Sequence, residues 1–127
     1  MPELDLATME PVTDKSQPRG ETARDSRRVL QLYRTLAQAH LGDELDRIVL
    51  FGSRARGDHR PDSDWDMAVF LKHPITPSDQ RRVSAIGHDV MCETGALIQS
   101  VALPAERWNA ADEFSRRIRR DGVPIHG

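Results

Sequence analysis

The spacing of apolar positions changes along the chain, and each spacing predicts an element. Across residues 22–40, Val29, Leu32, Tyr33, Leu36 and Ala39 recur at helical intervals, and Gly42 follows where a left-handed cap fits. "RIVLF" (47–51) is short, β-branched and almost wholly apolar, as a strand covered on both faces should be. "WDMAVFL" (65–71) reads as a second strand. Pro74 and Pro77 punctuate, and Val83, Ile86, Gly87, Val90 and Met91 then mark an amphipathic helix ending near Gly95. "ALIQSVAL" (96–103) reads as a third strand, and a last helix is expected over 110–120. Residues 1–20 mix prolines, acids and small polar residues without a sustained period, which predicts a mobile leader before one domain over 21–127. The order predicts an α/β (α+β) domain: a small mixed sheet of three or more strands with helices packed on it.

A chain of 127 residues with 38% hydrophobic content can bury one core, so one active surface is expected. The formal net charge of -2 argues against a general nucleic-acid binder, although arginines cluster at Arg27 and Arg28, at Arg81 and Arg82, and in "RRIRR". These clusters read as solvated helix faces. The lone Cys92 excludes an intrachain disulfide and a cysteine-rich zinc site, and it is expected as a packed thiol. No apolar run approaches membrane-spanning length and no secretory signal is visible, so a cytoplasmic location is expected.

Candidate chemistry concentrates in "FGSRARGDHRPDSDWDMAVF". Alternation along a strand sends Asp64 and Asp66 to one face with Ala68 and Phe70, while Trp65, Met67, Val69 and Leu71 take the other. Residues two apart are roughly 6.5 to 7 Å apart along a strand, near enough for both carboxylates to reach one divalent ion or a close pair of ions. Magnesium suits such oxygen ligands and is usually shared with substrate phosphate. Gly52 and Ser53 end the first strand where backbone can approach a phosphate, and a helical turn in "SRARG" would present N–H groups and the Ser53 hydroxyl to it. Arg54 and Arg56 are read as adding positive charge there, with the protein surface as the equal alternative for each.

Gly52 and Ser53, ten intervening residues, then Asp64-Trp65-Asp66 resembles the signature of the DNA polymerase β-like nucleotidyltransferase superfamily, and "FGSRARG" with "SDWDMAVF" is similar to its minimal nucleotidyltransferase branch. The resemblance implies Mg2+-dependent transfer of a nucleoside monophosphate from ATP or another NTP to an acceptor hydroxyl. Asp64 and Asp66 are then the catalytic metal ligands, and Gly52, Ser53 and Arg54 the nucleotide-binding residues. It also implies a helical HEPN-type partner, a toxin that the chain would counter as antitoxin; an antibiotic or an RNA end are other acceptors of such enzymes.

One feature departs from that pattern. Many of these enzymes carry a third carboxylate on a later strand, whereas "ALIQSVAL" offers only Gln99 or Ser100, and strand register decides which of them faces the site. Neither is a useful base at neutral pH. A non-catalytic module that neutralises a partner by contact therefore stays open. Other motifs fail: from Asp62, an EF-hand loop would need glycine at Met67 and glutamate at His73, and no Gly-Lys-Ser or Gly-Lys-Thr forms a phosphate loop. The histidines at 40, 59, 73, 88 and 126 show no paired metal spacing and read as surface or capping residues. Trp65 and Trp108 are expected in helix packing.

Overall fold

The computed structural model describes residues 23–125; the expected leader lies outside them. Helix α1 (Ala23–Leu41) leads through a 3-10 turn at Gly42–Glu44 into β1 (Leu45–Phe51). A one-turn helix, α2 (Ser53–Arg56), and a loop precede β2 (Trp65–Leu71), which is followed by α3 (Pro77–Thr94) and β3 (Ile98–Pro104). A 3-10 segment at Ala105–Asn109, α4 (Glu113–Asp121) and a short strand, β4 (Val123–Pro124), complete the order. The sheet runs β3-β2-β1-β4, with β2 and β3 parallel and the other neighbours antiparallel. This is the α+β fold with a mixed sheet that the pattern predicts.

The two faces of the sheet are covered differently. Ile48 and Leu50 of β1 and Trp65, Met67, Val69 and Leu71 of β2 pack under α1 (Val29, Tyr33, Ala37) and α3 (Val83, Ile86, Val90). Each such large side chain contributes about 1.5–3 kcal/mol by leaving water. On the other face Val49, Ala68, Phe70 and Leu103 meet Ile118 of α4, with Phe51, Val101 and Trp108 partly buried against them. The period-2 reading of β2 holds along its whole length. Asp64 and Asp66 continue the line of Ala68 and Phe70.

Local chemistry sets the element ends. Thr76 caps α3, its hydroxyl accepting from Asp79 N–H while the Asp79 carboxylate accepts from Thr76 N–H. Gly87 lets α3 approach β3 closely, since a Cβ there would stand 2.7 Å from Ser100 Oγ. Across the same layer the Tyr33 hydroxyl and Ser100 Oγ share a 2.8 Å hydrogen bond, and burial pushes the Tyr33 phenol up to about 12.

Three expectations are corrected. Ala39 is exposed and Ala37 takes its place in the core, because the line Val29-Tyr33-Ala37-Leu41 repeats every four residues down one side of α1. Cys92 is exposed: the stripe ending at Val90 faces the sheet, and two further residues turn the thiol outward toward His88. The last helix starts at Glu113, not near 110, because the Asp112 carboxylate accepts from Ser115 N–H as its cap.

Candidate active site

The end of β1 brings Gly52 against Asp66. Phe51 and Asp66 are register partners, and Gly52 then turns the chain into α2 at φ 78° and ψ −158°, a conformation essentially reserved for glycine. A Cβ on Gly52 would lie 2.2 Å from Asp66 Oδ2, so bare backbone is what admits the carboxylate. Ser53 opens α2, as the helical turn read in "SRARG" requires.

Asp64 and Asp66 are close enough to interact, and Gly52 stands against Asp66. Burial, and then the charge of Asp64, holds the Asp66 carboxyl above the usual range, while Arg56 opposes the rise. The donor set fits a hard divalent cation: two half-buried carboxylates repel one another, one of them beside glycine backbone.

Register assigns the third position to Gln99. It pairs directly with Asp66 across β2 and β3, and its amide donates to Asp64 Oδ2 at 3.3 Å. Ser100 faces the opposite way, toward Tyr33. Asp62, Asp89 and Glu93 are exposed.

Arg54 is not brought to the carboxylates. It is 8% exposed, its guanidinium donating to the carbonyls of Ser63 (3.0 Å) and Pro61 (3.1 Å) and lying 4.2 Å over the Trp65 ring. Trp65 belongs to the α1 and α3 face, so Arg54 pins the loop leading to Asp64 from behind the sheet. A cavity of about 500 Å³ near Arg54 and Trp65 lies on that side as well.

Sequence reasoning missed what α4 adds. A cavity of about 180 Å³ beside Gly52 is lined by Phe51, Arg56, Phe114, Arg117, Ile118 and Asp121. The available signal was Phe114 and Ile118 at i, i+4 in an otherwise charged helix. At the opposite end of β2, one ligand atom each from Glu44, His73 and Asp79 lies within 4.8 Å of the others. Arg82 already answers those acids, donating to Glu44 Oε2 at 2.8 Å and Asp79 Oδ1 at 3.1 Å, which makes the cluster an ion-pair network.

The family model for polymerase beta nucleotidyltransferases matches residues 31–126, spanning the strands, the glycine turn and both aspartates. The chain belongs to the polymerase beta nucleotidyltransferase family. It is 34% identical over 61 residues to a candidate protein adenylyltransferase of Methanocaldococcus jannaschii, a match covering 48% of this chain and 62% of that protein. The chain thus spans less than two thirds of this curated relative. Among solved structures it resembles a chain of a toxin-antitoxin crystallised with AMP-PNP (TM-score 0.60, 17% identity, 77% of this chain and 73% of the other). It also resembles a chain from a complex of tri-AMPylated Shewanella oneidensis HEPN toxin with MNT antitoxin (TM-score 0.56, 16% identity, 80% and 71%). These two likenesses carry the nucleotidyltransferase fold. Among the described residues of this family member, no helix is long and apolar enough to cross a membrane.

Proposed function

We infer that this nucleotidyltransferase transfers a nucleoside monophosphate from ATP or another NTP to a hydroxyl on a HEPN-type helical partner, as an antitoxin would. The observation that carries the reading is the close approach of Gly52 to Asp66, which sets the glycine turn beside a carboxylate that feels the charge of Asp64. The AMPylated toxin of the Shewanella complex and the adenylyltransferase relative support the acceptor and the nucleotide.

Asp64 and Asp66 would hold Mg2+, which when bound supplies charge neutralisation for the phosphates. Gly52 backbone and the Ser53 hydroxyl hold triphosphate oxygens. The acceptor oxygen forms a bond to the α-phosphorus as the bond to the bridging oxygen breaks; pyrophosphate leaves and the hydroxyl proton passes to solvent or to a base on the acceptor. Gln99 cannot take that proton; its amide holds Asp64 in place.

Gln99 also favours a second reading, a module that neutralises its partner by contact without transfer. Incubation with α-labelled ATP, Mg2+ and a HEPN-type toxin separates the two. Transfer predicts label on the partner, lost with Asp64→Asn and Asp66→Asn while binding persists. Contact alone predicts an unlabelled, neutralised partner.

A further inference from the structure

Phe114 is a large aromatic left 38% exposed on α4. It stands at the rim of the 180 Å³ cavity, meeting Phe51 edge-on at 5.6 Å with 88° between the rings. Phe51 is the register partner of Asp66, and Gly52, which lines the same cavity, touches that carboxylate. The cavity and the paired aspartates are therefore contiguous.

The lining decides what fits. Phe51, Phe114 and Ile118 supply apolar and aromatic surface; the Arg107 guanidinium already lies over the Phe114 ring, 5.9 Å from its centroid, so a flat aromatic ligand would stack on the face away from it. A polyphosphate tail suits it less, because the charges in its wall are answered within the chain: Arg56 faces Asp58 at 3.2 Å, Arg117 faces Glu113 at 3.4 Å and Asp121 faces Arg120 at 3.1 Å. A nucleotide held by its phosphates at Gly52 and Ser53 still needs a place for its base within a few ångströms.

We propose that this cavity is the nucleobase subsite and that Phe114 is its stacking surface, so that α4 forms one wall of the nucleotide site. The proposal rests on the reading that Gly52, Ser53, Asp64 and Asp66 hold the nucleotide's phosphates. Base stacking on an aromatic tolerates any base, because each presents a π face.

The test is calorimetric titration of the full chain with ATP and, separately, with inorganic tripolyphosphate, both with Mg2+. Parent, Phe114→Ala and Phe114→Trp are compared, with a thermal melt on each. Phe114→Ala is expected to weaken ATP by about tenfold, as loss of one stacking contact does. It should leave tripolyphosphate affinity where it was, and Phe114→Trp should retain ATP. Equal weakening of both ligands by Phe114→Ala, no weakening of ATP, or loss of ATP in Phe114→Trp would each overturn the subsite. If the parent binds neither ligand, the phosphate-site reading fails and the subsite with it; if the parent binds both and the variants do not discriminate, only the subsite fails.

Discussion

Gly52 and Asp66 are in van der Waals conflict with any side chain but hydrogen at position 52: an added Cβ would stand 2.2 Å from Asp66 Oδ2. Gly52→Ala therefore combines strain at a positive φ with displacement of a carboxylate. It is expected to cost about 1–3 kcal/mol of stability and to weaken binding of ATP with Mg2+ in the protein that still folds. Urea denaturation and calorimetry measure the two effects. Unchanged stability would mean that the turn does not need glycine.

Asp66 predicts a pH dependence of its own. Its pKa is raised in the folded state, by burial and then by Asp64, so the ionised carboxylate is an unfavourable term at neutral pH that disappears as pH falls through the raised folded value. Asp66→Asn should leave the metal-free protein as stable as the parent or more so at pH 7, with the difference closing in acid. Mg2+ affinity of the parent should rise as pH increases through that value, because binding must displace the proton. Thermal melts across pH and Mg2+ titrations check both signs.

The network at the other end of β2 has the opposite use for its charges. Glu44 is lowered to about 2, first by the Arg82 hydrogen bond and then by His73. His73 is raised, first by its bond to the Pro74 carbonyl and then by Glu44. The Glu44 contribution is present above its ordinary 4.5 and lost as pH falls toward about 2, whereas the His73 contribution is full below 6.5 and lost as pH rises through the folded value. The His73–Glu44 coupling, measured by a double-mutant cycle with His73→Ala and Glu44→Ala, should peak between those ordinary values. A coupling that is flat from pH 5 to 8 would rule the pairing out.

Gln80 guards an open strand. β3 is an edge of the sheet, and from α3 the Gln80 amide donates to Ser100 O at 3.0 Å and accepts from Ala102 N–H at 2.8 Å, as a neighbouring strand would. Gln80→Ala should expose that edge and increase self-association with concentration in analytical ultracentrifugation. A variant as monodisperse as the parent would show that the edge is protected by other means.

The face of each β2 residue was legible because strand alternation is a local rule that the core obeyed from Trp65 to Leu71. Whether Gln99 or Ser100 meets Asp66 was not, since register is set by how α3 returns the chain, with Gly87 packed against Ile98 and Ser100. Arg54 misled by its nearness to Gly52. In a helical turn, adjacent residues point about 100° apart, and this guanidinium found loop carbonyls and the Trp65 ring. The wall supplied by Phe114 was invisible for a different reason: it meets Phe51 only through tertiary packing of α4.

The most direct test of the central claim is a calorimetric titration of ATP into the parent chain with and without Mg2+, repeated with Asp64→Asn and Asp66→Asn. The account predicts saturable heat that requires Mg2+ and is lost in both variants, each of which still melts cooperatively. No heat from the parent, or the same affinity in the two variants, would contradict it.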